Sequence, residues 1–438
     1  MGTDQGRTSN VMGLALMAAQ TGQTIPETGT TTFRPPYSAV SLGALAGDET
    51  GSDFHMHRLS PLHKQNLSDG AEMIKSGLWE RAWYYRENGA NVGDAYIAEM
   101  KIVRNHAALC DMSSLGKIEI EGPDAAEFLN RIYTNPFLKL PVGKARWGVM
   151  LRDDGYVFDD GTTSRLNEFK YLMTTTTAKA GQVLSRMEFL LETDWNDLKV
   201  HVTSVSDQWA VMALAGPSAR DILGAVAGPG IVNDESIPFL GLREVNIGGI
   251  STRVLRVSFS GEMSYEIYVA AHLAATVWTI LRKAGAGVEG LEALGALRIE
   301  KGHIAGGEID GSTTMGDLGL DAMFSLKKPF IGKVLARREG LIEQGRLQLV
   351  GLEAEEEKPL STGSVLSFAK FEGTGDGRVT SATYSPTLAK HIALALVKDG
   401  QAHHGAVINV HNPARGAVTK ARIRDPHFLD PNGERMRG

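Results

Sequence analysis

The spacing of apolar and polar positions changes along this chain, and the changes predict its elements. "DAYIAEMKIVRNHAAL" repeats apolar residues at helical spacing, with an acidic first turn and a basic later one that suit the helix dipole. "PDAAEFLNRIY" predicts a second helix, with proline where the missing N–H costs nothing. Between them "GKIEIEG" alternates with period two, as a half-buried strand does. "RWGVML" and "GYVF" are strand-like runs joined by "RDDG", and Asp-Gly predicts a hairpin because glycine tolerates positive φ. A third β-rich run follows at "KYLMTTTTA". "LLETDWNDLKVHVTSVSDQWAVMALAGPSARDIL" reads as helix end, strand, strand and proline-opened helix, and "TRVLRVSFSGEMSYEIYV" as a hairpin joined through Ser-Gly-Glu. "AAHLAATVWTILRKAG" and "LEALGALRIEKGH" are helical, and the runs "RLQLVGLEA", "GSVLSF" and "HIALALV" predict a small C-terminal β-barrel or sandwich. The class is α+β, without regular βαβ units.

Residues 1–55 stand apart. They are rich in Thr, Gly and Pro, only "VMGLALMAAQ" has a helical pattern, and such a segment cannot bury much surface alone. It is expected to run extended over another surface, or to be the tail of a preceding region. Residues 56–335 have the composition of a folded enzyme, and 336–438 hold the β-rich end. With 42% hydrophobic and 22% charged residues, 438 residues can bury a substantial core. The net charge of -6 offers no basic surface to a nucleic-acid backbone. The single cysteine, Cys110 in "HAALCDM", excludes an internal disulfide framework and is expected to be a buried thiol. No apolar run of about 18 residues predicts a membrane helix, and the first residues lack a signal-peptide pattern. A soluble, cytoplasmic protein is the expectation.

Four aspartates crowd "RDDGYVFDDG", and three explanations compete: a cation site, an acid/base pair, or one functional carboxylate beside turn residues. A calcium loop fails, because apolar residues fall where alternate oxygen ligands are required. Asp153 and Asp154 sit in the predicted turn. Asp159 and Asp160 are neighbours in a sheet region and so point to opposite faces if the strand is regular. One can face a pocket, where burial and a nearby amine set its protonation; the plainer alternative is a satisfied sheet-edge aspartate. Two-carboxylate glycoside chemistry stays open, since sequence gives no separation between the acids. "GAGVEG" matches G-x-G-x-x-G but follows a helix, which predicts a helix-to-helix turn rather than a dinucleotide loop. His55 and His57, and His403 and His404, lack a third ligand at metal spacing, so no metal site is expected.

Read in order, "SPLHKQNLSDGAEMIKSGLWERAWYY", "CDMSSLGKIEIEGPDAAEFLNRIYTN", "GYVFDDG", "AGPSARDIL" and "VSFSGEMSYEI" resemble the glycine-cleavage T-protein (aminomethyltransferase) superfamily across residues 60 to 430. "TGQTIPETGTTTFRPPYSAVSLGALAG", "DGSTT", "FIGK", "YSPTLAKHIALALV" and "DPNGERMRG" resemble one branch, the α subunits of heterotetrameric sarcosine oxidases. The resemblance implies three subdomains in a ring around a tetrahydrofolate pocket, ending in a small β-barrel, with residues 1–55 as the tail of a preceding dinucleotide-binding region. It implies that Asp160 meets the folate at its reactive nitrogens and Glu266 its pterin, with Leu115, Trp147, Thr162, Thr176 and Phe259 lining the ring and Arg298 retained from the family pattern. Two positions depart from the pattern: Leu294 replaces an arginine, and Ala322 an aromatic. FAD or FMN and NAD are implied on partner subunits, a flavin-bearing β-like chain and smaller ones. The implied role is capture of a one-carbon unit from N-methyl amine oxidation as 5,10-methylenetetrahydrofolate. The alternatives are a non-catalytic scaffold for a flavoprotein and a stand-alone folate-dependent demethylase.

Overall fold

The strand Gly116–Glu121 sends Ile118 and Ile120 to one face, as its alternation requires, and that face roofs the first core. A computed structural model of the chain describes residues 17–28, 58–86, 89–369, 375–412 and 415–438. Gly116–Glu121 belongs to an antiparallel five-stranded sheet whose spatial order is Ala145–Leu151, Val157–Arg165, Lys170–Thr175, Gly116–Glu121, His201–Ser204. Helices Ala125–Ile132 and Ala180–Glu192 cover one face, burying Phe128, Leu129, Val183 and Met187 against Ile118, Ile120 and Met173.

A six-stranded sheet runs Leu242–Ile247, Ile250–Arg256, Ser264–Ala270, Trp209–Ala215, Ala108–Asp111, Gly287–Val288, with the last pair parallel and the others antiparallel. Helices Ala219–Ala227 and Ala274–Lys283 bury Leu223, Val277 and Trp278 on one side of it. Helices Val92–Asn105 and Leu291–Lys301 bury Met100, Val103 and Leu297 against Ala108 and Ala215 on the other. Helix Val92–Asn105 is capped by Asn91, whose side chain accepts from the N–H groups of Gly93 and Asp94. It ends before the predicted "HAAL", which enters the sheet instead because Ala107 to Leu109 are wholly buried there. "GAGVEG" is more than a turn. Gly287–Val288 adds a parallel strand beside Ala108–Asp111, and a Cβ on Gly290 would stand 2.2 Å from the Trp83 carbonyl oxygen, so only glycine lets the chain pass.

Strands Leu347–Ala354, Lys390–Lys398, Gly377–Ser385, Val365–Ser367, Val407–Asn412 and Ala417–Arg424 close into a barrel in that order. Three arginine-anchored ties hold helix Leu291–Lys301 and its neighbours in place: Arg104 pairs with Glu262 and Glu300, Arg298 with Glu308, and Arg346 with Asp317. Residues Met1–His57 form a separate unit from Arg58–Gly438. Of that unit the described part has helical residues 17–21 and a one-turn helix Ile25–Thr28, whose Glu27 accepts hydrogen bonds from the Thr24 N–H and hydroxyl. The expected extended course of residues 1–55 otherwise lies outside the described residues, as do His55 and His57.

Candidate functional site

The two sheets face each other. Ala145 and Leu172 of the five-stranded sheet share one buried cluster with Val211, Leu255 and Tyr268 of the six-stranded sheet. A second cluster joins Val149, Leu151 and Val157 to Ile299, Ile304 and the barrel residues Leu349, Ile392 and Leu394. The face of Val157–Arg165 that looks toward these clusters carries Asp160 and Thr162.

Asp153 and Asp154 occupy the turn between strands, where Asp153 pairs with Arg186 and Asp154 with Arg152. One extra residue, Phe158, then separates Val157, opposite Leu151, from Asp159, opposite Met150. This bulge sets which of the two following carboxylates turns inward to which face. Asp159 is buried and accepts hydrogen bonds from the N–H and hydroxyl of Thr176. Burial, opposed by those bonds, pushes it up to about 7. Asp160 points the other way and accepts a 2.7 Å bond from the Trp147 indole N–H. Burial pushes it up to about 6, with the indole bond opposing. Trp147 lies opposite Thr162 in the ladder and on the same face, and the Thr162 hydroxyl bonds that of Thr174 at 2.8 Å. Gly161 allows this strand its close approach to the next, since a Cβ there would lie 2.0 Å from the Thr174 carbonyl oxygen.

On the facing sheet, Glu266 pairs across the ladder with Ala213 and Leu255 and accepts a 2.6 Å bond from the Tyr268 hydroxyl. Glu266 and Tyr268 share the face that carries the inter-sheet cluster. Ala213, at the centre of six strands, is nonetheless part-exposed, so a space lies over it beside Glu266. Burial raises the Glu266 carboxyl; the Tyr268 bond and the charge of Lys117 oppose that rise. Lys117 is fully buried, donates to the Ser113 carbonyl at 2.6 Å, and is brought down to about 8 by burial against the pull of Asp111, Asp207 and Glu266. Its strand position looked solvated in the alternating pattern, and no sequence signal marked it or Tyr268.

The other expected residues lie as follows. Leu115 is half-buried in the loop after Ala108–Asp111, its N–H bonded to the Met112 carbonyl. Thr176 serves Asp159. Phe259, in the connection between Ile250–Arg256 and Ser264–Ala270, stacks on His303 at 5.6 Å, and the His303 Nδ1 lies 2.9 Å from its carbonyl oxygen. Burial holds His303 down to about 4, so this ring is neutral. Arg298 is buried at the barrel junction, held by Glu308, the Ser381 hydroxyl and the His303 carbonyl. Leu294 is buried on helix Leu291–Lys301, and Ala322 sits exposed in a short 3₁₀ turn, Asp321–Met323. Cys110 is buried, and burial pushes its thiol well above its ordinary value. Among the described residues no group of three His, Cys, Asp or Glu side chains is placed to hold a metal ion, and no helix is long and apolar enough to cross a membrane. Two surface hollows, one beside His106 and Arg282 and one beside Asp317 and Arg346, are lined by neither Asp160 nor Glu266.

This arrangement suits a flat, polar, nitrogen-rich ligand. One carboxylate offers two acceptor oxygens to paired N–H donors, and a second, poised near neutrality, stands on the inner face of the other sheet.

Comparison with known proteins gives the same fold a family. Residues 62–328 match the model of the GCVT N-terminal domain, 348–430 that of the glycine cleavage T-protein C-terminal barrel domain, and 1–49 that of the sarcosine oxidase A3 domain. A sarcosine oxidase subunit alpha from Rhizobium meliloti is 45% identical over all of this chain, which covers 45% of that protein. An aminomethyltransferase from Thermotoga maritima is 30% identical over 77% of this chain and 89% of its own length. The crystal structure of the glycine cleavage system aminomethyltransferase T from Bartonella henselae superposes with a TM-score of 0.74 at 22% identity, over 85% of this chain and 98% of that one. The chain thus spans about half the length of the sarcosine oxidase α subunits it matches.

Proposed function

The chain belongs to the glycine cleavage T-protein family, and from that membership we propose that it is the tetrahydrofolate-binding, one-carbon-accepting part of a sarcosine-oxidase-like N-methyl amine oxidising complex. The observation that supports the reading is that Asp160 and Glu266 stand on the faces by which two sheets share one buried cluster. The similarity of the whole chain to an α subunit supports the wider assignment: a flavin-bearing partner oxidises the amine, and NAD sits on a partner region.

Glu266 holds the pterin edge, because an ionised carboxylate accepts from the 2-amino group and the ring N–H together. Tyr268 orients that carboxylate through its hydroxyl, and Lys117 favours the ionised form. Leu115, Trp147, Thr162 and Phe259 line the ring, Thr176 supports the strand pair through Asp159, and Arg298 ties the pocket wall to the barrel. Tetrahydrofolate supplies the amine nitrogens that take the one-carbon unit as the 5,10-methylene form. Asp160 orients a reactive nitrogen and holds or releases its proton; Trp147 fixes the carboxylate by its indole N–H. With Asp160 pushed up to about 6, the group is mostly ionised at pH 7 yet close enough to exchange a proton.

Asp160→Asn tests this. The amide is nearly isosteric and can still accept from Trp147, so folding and assembly persist, while the charge and the proton exchange are lost. In the assembled complex, amine oxidation continues and the carbon leaves as free formaldehyde even with tetrahydrofolate present. A wild-type yield of methylenetetrahydrofolate from the variant would make Asp160 structural. Loss of folate binding with the complex intact and oxidation unchanged in the native protein would instead favour a scaffold role.

A further inference from the structure

Arg81 is a half-buried cation that forms no ion pair. It sits on the strand Trp79–Tyr85, opposite Ile74, and its Nε is shut off from solvent with no hydrogen-bond partner. Its Nη2 reaches only the Met112 sulfur, at 3.9 Å. Among the described residues the other deeply placed arginines each hold a carboxylate: Arg104 holds Glu262 and Glu300, Arg256 holds Asp234, and Arg298 holds Glu308. Arg81 forms no such pair.

The nearby acids do not bond it. Asp111 attracts Arg81, but its oxygens accept from Ser60 and Asn66 on one side and from the Ser113 N–H on the other. The Cys110 thiol is held neutral by burial. A guanidinium N–H shut from water without a partner is costly, and a ligand that accepts from it relieves that cost.

The geometry names the ligand's chemistry. Nε–H and one N–H of Nη2 form a single edge of the planar guanidinium, spaced to grip both oxygens of a carboxylate. Here one donor of that edge is unused and the other meets a thioether, a weak acceptor on a flexible chain that can swing aside. Met112 also packs against the cluster between the two sheets, and its carbonyl anchors Leu115. The edge therefore lies against a residue that packs between the two sheets carrying Asp160 and Glu266. We propose that this edge of Arg81, plugged by Met112 in the free protein, binds a carboxylate of the site's ligand. The proposal rests on the folate reading for the choice of candidates. Two of that reading's reactants carry the group: the folate on its glutamyl tail, and the amino acid released when an N-methyl amino acid gives up its methyl carbon.

The test measures binding by calorimetry to the 438-residue chain and to Arg81→Met and Arg81→Lys. The probes are 5-formyltetrahydrofolate, 6-methyltetrahydropterin, which lacks the tail, and glycine. Arg81→Met is expected to weaken one carboxylate probe by at least about tenfold, as loss of a charge-assisted pair requires, and to leave 6-methyltetrahydropterin unchanged. Arg81→Lys recovers part of the loss. A loss confined to 5-formyltetrahydrofolate assigns the edge to the tail, and one confined to glycine assigns it to the amino acid. Thermal unfolding of the free Arg81→Met chain is expected at or above the native temperature, since an unpaired buried charge is removed. Unchanged binding of both carboxylate probes overturns the proposal, as does an equal loss of 6-methyltetrahydropterin, or failure of the native chain to bind either carboxylate. Failure of the native chain to bind 6-methyltetrahydropterin and 5-formyltetrahydrofolate while glycine binding still depends on Arg81 would remove the folate reading alone.

Discussion

Under the proposed folate reading, Glu266 serves a pterin only while ionised, and its surroundings contest that state. Burial raises its carboxyl, while the Tyr268 hydroxyl and Lys117 pull it back. Glu266→Gln keeps the shape but offers one acceptor where two donors arrive. The expected cost is about 1.5 to 3 kcal/mol, or roughly tenfold to a hundredfold in folate affinity by titration. Asp159 gives a prediction of a different kind. Its folded value, pushed up to about 7, lies above the ordinary carboxylate range, so between about pH 4 and pH 7 the folded chain keeps a proton that the unfolded chain has released. Its contribution is full below that window and falls as pH rises through it. Asp159→Asn keeps both bonds to Thr176, one as acceptor and one as donor, and removes the penalty. Chemical denaturation at pH 8 is expected to show the variant more stable than the native chain, and the two to converge near pH 4.

At the scale of elements, helix Leu291–Lys301 joins the sheets to the barrel by polar contacts as well as apolar ones. Glu308 receives Arg298, the Ser381 hydroxyl and the Ala305 N–H, and is wholly buried. Glu308→Leu leaves the Arg298 charge without its partner, and breaking a buried pair from one side costs about 3 to 5 kcal/mol. The expected outcome is a large fall in the unfolding midpoint, larger than that of Arg298→Met and Glu308→Leu combined, because the double variant removes both charges. If the double variant is no better than Glu308→Leu, the pair is not a unit. The hairpin tip is fixed by sterics instead: Gly155 has φ +90, and a Cβ there would stand 2.4 Å from the Ala336 nitrogen. "RDDG" announced that turn from local chemistry alone.

At the scale of the molecule, the described chain holds a three-stranded, a five-stranded and a six-stranded sheet and a closed barrel, with no flavin expected on it under the proposed division of labour. Purified alone, the chain should show no flavin absorbance between 350 and 500 nm, roughly where an oxidised flavin absorbs, and in complex the colour should follow a partner chain. A stoichiometric flavin spectrum from the isolated chain would place the oxidation on this polypeptide. The strands, most helices, the Asp-Gly turn and the barrel were legible because local period and turn chemistry report the face each residue presents. Which sheet each strand joins was not. His201–Ser204 and Trp209–Ala215 are neighbours in sequence yet belong to different sheets, since pairing depends on partners far off in the chain. The same limit hid half of the site. Lys117 alternates with Ile118 and Ile120 and so reads as solvated, but a second sheet packs over its face and makes it a buried charge beside Glu266. No sequence signal marked Arg81, whose Nε is shut from solvent while its side chain lies against Met112. Sequence by itself determined which residues can share a face, because that follows from backbone geometry over a few residues. Tertiary structure alone decided which faces meet, and with them which charges lose water, since both depend on contacts between segments far apart in the chain.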